Sequence, residues 1–381
     1  MKELTYSNLK QLKPNSYILI DTRDSGSILY GMIPGAIHIT EQELYANLVR
    51  YAKEFDPQKD VILYCQRGVR SINLAEAFEE QGRECCSLPG GYLAYLRDTV
   101  SSDKQSSEIQ PKAENSIRRK YHKQLFSPFA KTCKQYQLIR EGDHIAVCIS
   151  GGKDSMLMAK LFQEIRTHRQ VNFDLTFLVM DPGYNADNRS LIEHNARSLG
   201  IPITIFESSI FDAVDTVEKN PCYLCARMRR GYLYSKAKEL GCNKIALGHH
   251  YDDVIETILM GMLHGGQVQT MMPKLHSTNF EGMELIRPMY LIREADICKW
   301  RDYNELHFLQ CACHFTETCT TCHEDGTTSS KRLETKKLIA ELKKTNPQVE
   351  ANIFNSVSNV NLSTVIAYKE DGVKHHFLDS Y

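Results

Sequence analysis

The segment that most constrains this chain is a hydrophobic run, His144–Ile149, which ends on Ser150-Gly151-Gly152-Lys153-Asp154-Ser155 and is followed by Leu157, Leu161 and Ile165 at helical spacing. A strand that turns through glycines directly into a helix presents backbone N–H groups and the positive end of the helix dipole to an anion, and phosphate is the natural ligand. The spacing is not that of the Walker loop, which needs Gly, four residues, then Gly-Lys-Ser/Thr, so ordinary kinase or GTPase chemistry is not indicated. The runs 175–180, 203–206 and 244–247 read as further strands separated by helices, which predicts a doubly wound parallel α/β sheet around the loop.

Upstream, the apolar runs 17–20, ending at Asp21, and 61–64, ending at Cys65, read as buried strands with helices between them, so a first α/β domain is expected over residues 1–100. From 101 to 116 the chain turns polar, with Ser101, Ser102, Ser106, Ser107 and Pro111, and reads as a linker whose few apolar residues do not repay ordering. Such a linker predicts a transient contact between the domains. The second domain is expected over 117–381, where a basic stretch (Arg118, Arg119, Lys120, Lys123) leads to the strand at His144. A chain of 381 residues gives each domain room for a core.

The formal net charge is -1, so any nucleic-acid footprint has to come from local basic patches. Two are visible: Arg227, Arg229 and Arg230, and an amphipathic basic helix over 331–344 carrying Leu333, Leu338, Ile339 and Leu342. The cysteines number 13, an odd count, and residues 1–13 show no apolar signal core, which argues against a secreted disulfide framework and for a reducing cytoplasm. No apolar run approaches the roughly 20 residues of a membrane-spanning helix, so no membrane partner is expected.

Ser150-Gly151-Gly152-Lys153-Asp154-Ser155, taken with Leu247-Gly248-His249-His250-Tyr251-Asp252-Asp253, resembles the two nucleotide-site motifs of the PP-loop ATPases, a likeness running from about residue 117 to the end. The resemblance implies ATP at Ser150–Ser155, Gly248 and His249, cleaved to AMP and pyrophosphate, with the adenylyl group turning a carbonyl oxygen into a leaving group. Lys153 and Asp154 would be catalytic, Lys153 by neutralising charge on the phosphates. Asp252 and Asp253 are hard oxygen donors suited to Mg²⁺, and Asp252 also reads as a helix cap.

Cys222 and Cys225 follow Asn220-Pro221, a plausible cap and first helical residue, which puts two thiols at a helix N-terminus where thiolates are favoured. Cys311, Cys313, Cys319 and Cys322 follow downstream, and spacing alone leaves structural zinc as the default reading. Cys222-Tyr-Leu-Cys225-Ala-Arg-Met-Arg-Arg-Gly231 resembles the TtcA branch of the PP-loop enzymes, the tRNA 2-thiocytidine synthetases. The resemblance implies a 4Fe-4S cluster on Cys222, Cys225 and Cys311 with one iron left open, able to orient sulfide. The one-residue gap between Cys311 and Cys313 departs from the two-residue gap of that branch and leaves Cys313 outside the ligand set. Cys319 and Cys322, with His314 and His323 nearby, are candidates for a separate Zn²⁺ or are reduced surface thiols.

In the first domain, Asp21-Thr-Arg23, Gly31-Met-Ile-Pro-Gly-Ala-Ile-His38, Val61-Ile-Leu-Tyr-Cys65-Gln-Arg-Gly-Val-Arg-Ser71 and Leu88-Pro-Gly-Gly-Tyr92 together resemble a rhodanese domain. The resemblance implies a persulfide on Cys65, stabilised by loop N–H groups and by Arg67 and Arg70. Met32 stands where rhodaneses usually have His. Cys85, Cys86, Cys133, Cys148, Cys242 and Cys298 read as ordinary small, partly buried residues.

Joined, these readings predict an ATP-dependent tRNA sulfurtransferase. A cysteine desulfurase would load Cys65, the sulfur would pass to the cluster, and a tRNA pyrimidine, favoured as cytidine, would lose its C2 oxygen. The alternatives are a tRNA uridine or a small molecule as acceptor, or a metal-bearing redox sensor with inactive catalytic domains. The TtcA resemblance raises a homodimer as one assembly, and the residues themselves do not set the oligomeric state.

Overall fold

The computed structural model describes residues 4, 6–13, 15–101, 106–208, 210, 221–308 and 331–381. The chain divides into two compact units, Met1–His249 with Pro273–Cys319, and His250–Met272 with Thr320–Tyr381.

The first unit holds two parallel sheets. The N-terminal one is four-stranded, in the order β2-β1-β3-β4, with β1 Tyr17–Asp21, β2 Ile37–His38, β3 Asp60–Tyr64 and β4 Cys85–Ser87. Its strands are short, and β3 is apolar and buried from Val61 to Tyr64 because it is covered on both faces, whereas Ile37 of the edge strand β2 is exposed. The second sheet runs β7-β6-β5-β8-β10-β9, with β5 His144–Ile149, β6 Asp174–Asp181, β7 Ile203–Glu207, β8 Lys244–Ala246, β9 Lys274–His276 and β10 Glu284–Ile286. All its pairs are parallel except β9 with β10. Chain order reverses direction between β5 and β8, and the crevice beyond the carboxyl ends of such neighbouring strands is where doubly wound sheets bind ligands. The loop at Ser150 leaves β5 and the loop at Leu247 leaves β8.

The polar stretch expected to be a linker over 101–116 contains a helix, Ser106–Arg118. Ala113, Ser116 and Ile117 are buried, at helical spacing that turns one narrow stripe inward while the polar residues face out. The transient contact expected between the domains is replaced by a continuous core: Ile62, Tyr64, Tyr92, Tyr95 and Leu96 of the first sheet's domain share one apolar cluster with Leu191, Ala196, Leu306 and Phe308. A few apolar residues sufficed because they are backed by large side chains from both sides.

The second unit contains the helices Tyr251–Gly265, Lys331–Thr345 and Val349–Ser356 and a hairpin of β11 Ala367–Glu370 with β12 Val373–His376. The basic helix expected over 331–344 is present; Ile339 is buried, whereas Leu338 and Leu342 are exposed. Among the described residues no helix is long and apolar enough to cross a membrane.

Candidate functional site

The Cys65 loop is built by the register of β3 and by a second turn packed against it. Cys65 follows β3 directly and is buried, while Arg67, Val69 and Arg70 are exposed. Its Sγ accepts from the Gly68 N–H at 3.2 Å and from the Ser71 hydroxyl at 3.5 Å. Ser71 is held in turn by Ser87 at 2.8 Å. The helix Gly91–Ser101 begins under this loop: Tyr92 N–H donates to the Cys65 carbonyl and Leu93 N–H to the Gln66 carbonyl, at 3.0 and 3.1 Å. A Cβ on Gly91 would lie 2.2 Å from the Cys65 oxygen and 2.6 Å from the Gly68 nitrogen, so the Gly-Gly turn is what lets the two loops touch.

Arg67 and Arg70 were expected around the sulfur. The structure gives Arg70 a different partner, Glu41 at 3.8 Å, on a half-exposed side chain. The buried cation is Arg23. Its guanidinium meets Asp21 at 2.6 Å, donates to the Gln66 side chain at 3.3 Å and to the Gly31 carbonyl at 2.6 Å, and lies 3.8 Å over the Tyr92 ring. Tyr64 donates to Asp21 at 2.7 Å, and burial, reinforced by Asp21, raises its phenol above the ordinary range and keeps it a donor. The motif Asp21-Thr-Arg23 had been visible without its role, because the pair lies far in sequence from Cys65 and acts through Gln66 and Tyr92.

The nucleotide loop has the same outline and different chemistry. Gly151 has φ +83, a left-handed backbone that a side chain would strain. Ser155 closes the turn: its hydroxyl accepts from Ser150 N–H at 3.1 Å and donates to the Gly152 carbonyl at 3.0 Å. The helix Lys153–Thr167 starts there, so its first-turn N–H groups point out of the loop. Lys153 is buried, and its Nζ meets Asp154 at 3.1 Å and Glu294 at 3.0 Å. Glu294 opens the helix Glu294–Tyr303, 141 positions from Lys153, and no spacing in the sequence pairs them. Gly248 seals the other wall: a Cβ there would come within 3.2 Å of the Ser155 nitrogen. His249 follows, accepting on Nδ1 from the Arg287 guanidinium at 3.3 Å. At the end of β6, Asp181 accepts from the Gly183 and Tyr184 N–H groups and pairs with Arg189 at 3.0 Å, a further carboxylate at the same sheet edge that sequence reading passed over.

In the second unit, Asp252 and Asp253 lie in the first turn of Tyr251–Gly265. The cap expected of Asp252 is made by His250, whose side chain accepts from Asp253 N–H while the Asp253 carboxylate accepts from His250 N–H. His takes this role because its Nδ1 reaches the third N–H as a short oxygen side chain would. Asp253 is also paired with Arg332 at 2.6 Å, and the Asp252 carboxylate lies 3.9 Å from the His250 imidazole.

Cys222 and Cys225 sit one turn apart at the start of the helix Pro221–Glu239, with Arg229 and Arg230 further along it. Their side chains, and Asn220, Cys311, Cys313, His314, Cys319, Cys322 and His323, lie outside the described residues. Among the described residues no group of three or more His, Cys, Asp or Glu could hold a metal ion. Of the other described cysteines, Cys85, Cys133, Cys148 and Cys242 are buried and Cys86 and Cys298 half-buried; burial pushes the thiols of Cys85 and Cys148 up to about 12 and raises those of Cys133, Cys242 and Cys298.

A PP-loop domain model matches residues 118–313, and a rhodanese-like domain model matches residues 5–98. The tRNA-cytidine(32) 2-sulfurtransferase of Geobacter sulfurreducens is 32% identical over 242 residues, 63% of this chain and 90% of that protein. Its counterpart in Coxiella burnetii is 34% identical over 256 residues, 66% of this chain and 95% of that protein. A U34-tRNA thiolase from Methanococcus maripaludis, solved with its 4Fe-4S cluster, aligns over 61% of this chain and 76% of its own at 23% identity and a TM-score of 0.48.

Proposed function

Because this chain belongs to the PP-loop family, of the tRNA-cytidine(32) 2-sulfurtransferase type, with a rhodanese-like domain fused ahead of it, we propose that it is an ATP-dependent tRNA thiolase replacing the C2 oxygen of a tRNA cytidine with sulfur carried on Cys65. Residues 1–100 carry the sulfur and residues 117–381 activate the base. The observation that carries the reading is the presence, in one compact unit, of a thiol held by a donor N–H and a hydroxyl at Cys65 and a glycine loop with a buried lysine at Lys153.

The PP-loop binds ATP through the first-turn N–H groups after Gly152 and through Lys153, whose charge Asp154 and Glu294 hold in place until phosphate arrives. The C2 oxygen attacks the α-phosphorus, pyrophosphate leaves, and the oxygen becomes part of an AMP leaving group. Asp252 and Asp253 carry the hard oxygen donors that would hold Mg²⁺, whose charge would offset that of phosphate. The sulfur arrives from a cysteine desulfurase as a persulfide on Cys65, where the Gly68 N–H and the Ser71 hydroxyl stabilise the anion. A dithiol reductant supplies two electrons: the S–S bond breaks, Cys65 returns to thiol, hydrosulfide leaves and the dithiol becomes a disulfide. Hydrosulfide displaces AMP at C2 and loses its proton. Cys222, Cys225 and Cys311 are the thiols that would hold a 4Fe-4S cluster, which when bound would supply a place for sulfide beside the activated base. Zinc on Cys319 and Cys322 has no step in this scheme. The odd count of 13 cysteines supports a reducing, cytoplasmic setting for the reaction.

The test is an anaerobic reaction of the full chain with ATP, Mg²⁺, a desulfurase, cysteine, a dithiol and tRNA, followed by mass spectrometry of the nucleosides. Thiolated cytidine is expected, and Cys65→Ala should lose it. A thiolated uridine moves the reaction to another base, and no thiolated base at all sinks it.

A further inference from the structure

Tyr92 and Tyr95, on the helix that supports the Cys65 loop, both address one imidazole from the other domain. The Tyr95 hydroxyl lies 2.6 Å from His307 Nε2 and the Tyr92 hydroxyl 3.4 Å from Nδ1. The Tyr95 and His307 rings stand edge to face, with centroids 4.9 Å apart. Gly31 closes the third side: a Cβ there would fall 2.7 Å from the Tyr92 hydroxyl and 3.1 Å from His307 Nδ1. His307 is itself anchored, since its carbonyl accepts from the Asn195 side chain at 2.8 Å and its neighbours Leu306 and Phe308 are in the core.

The contacts run on to the backbone of the Cys65 loop. Tyr92 covers Arg23, which holds the Gln66 side chain, and the Tyr92 N–H holds the Cys65 carbonyl. Packing alone would not need both ring nitrogens matched to hydroxyls, and in a neutral imidazole one nitrogen donates and the other accepts. A second link on the same helix, Arg97 to Asp187 at 2.5 Å, is exposed and worth little beside it.

We propose that His307 is a positioning residue for sulfur delivery: it fixes the helix under the Cys65 loop to the PP-loop domain, so that sulfur leaves Cys65 at a set place within the same chain. The inference rests on the reading of Cys65 as the sulfur carrier and adds no chemical step to it. Its effect is on effective concentration, because a tethered but undocked donor samples many orientations and a docked one samples few.

The experiment uses the full chain with His307→Phe, which keeps a ring and drops both hydrogen bonds. Three quantities are measured: persulfide on Cys65 by intact mass, tRNA thiolation with desulfurase sulfur routed through Cys65, and thiolation with free hydrosulfide. Routed thiolation is expected to fall about tenfold or more, while persulfide loading and hydrosulfide-fed thiolation stay within about twofold of the parent. His307→Gln, which can still bond Tyr95, should recover at least about half of the routed rate. Tyr95→Phe removes a single oxygen and stands in if His307→Phe does not fold. The proposal is overturned if these variants depress hydrosulfide-fed thiolation as much as routed thiolation, or if neither rate moves. A Cys65→Ala chain that thiolates from desulfurase sulfur as fast as the parent defeats the carrier reading itself, whatever His307 does.

Discussion

The Cys65 loop and the Ser150–Ser155 loop are the same device in outline: a parallel strand ends, the chain turns through glycine, and a helix carries the N–H groups away. They differ in where the positive charge is kept. At Cys65 the sulfur meets dipoles, one N–H and one hydroxyl, and the nearest buried guanidinium is spent on Asp21 and Gln66 beneath the loop. At Ser150 a full charge, Lys153, is buried at the loop and held by two carboxylates. A sulfur that stays covalently attached needs a fixed pocket of modest polarity. A triphosphate that arrives, reacts and leaves needs a charge that can be handed over, and the carboxylates keep it in place meanwhile.

The sharpest way to break this contrast is to remove the handed-over charge. Lys153→Ala should cut pyrophosphate release by about a thousandfold and, by leaving Asp154 and Glu294 together without their cation, lower stability by roughly 3 kcal/mol. Persulfide loading on Cys65 should persist below the melting point, and a chain that still releases pyrophosphate would place the nucleotide elsewhere. Gly91→Ala tests the other loop, since its Cβ would meet the Cys65 oxygen at 2.2 Å. A loss of about 3 kcal/mol in denaturant unfolding and a displaced sulfur loop with little persulfide are expected.

A smaller effect comes from pH. Burial and Arg301, with a minor share from Arg23 and against the pull of Glu305, hold the His307 imidazole down at about 4 from its ordinary 6.5. The unfolded chain therefore takes up the proton first. The stability that neutral His307 contributes is complete above pH 6.5 and is lost as pH falls towards 4. Hydrogen exchange in the helix Gly91–Ser101 should rise over that window, and much less in His307→Gln. Least of all, Ser71→Ala removes one donor from the sulfur, which is worth about 1 kcal/mol or a fivefold drop in persulfide occupancy, read by intact mass.

Much of both loops was legible in the sequence. The strands at Tyr17, Asp60, His144, Asp174, Ile203 and Lys244 fall where short apolar runs predicted them, because a buried parallel strand has to be apolar on both faces. Cys65 and Ser150–Ser155 were findable because a glycine turn is a local requirement. The polar composition of 101–116 hides a helix, because one stripe of Ala113, Ser116 and Ile117 is enough to seat it when large side chains wait on either side. The cap at the second motif was assigned to Asp252 and belongs to His250, since residue preference ranks candidates and geometry picks among neighbours.

The sequence by itself determined the two strand–glycine–helix loops, the mostly parallel sheets that carry them and the order in which they come, because each is written within a few adjacent residues. Only the tertiary structure decided that Glu294 holds Lys153, that Arg23 works beneath Cys65 while Arg70 turns to Glu41, and that His307 ties the sulfur loop to the other domain. Those pairings join residues tens to hundreds of positions apart. Their identity depends on which side chains the packed core brings within hydrogen-bond reach, and no local pattern encodes that.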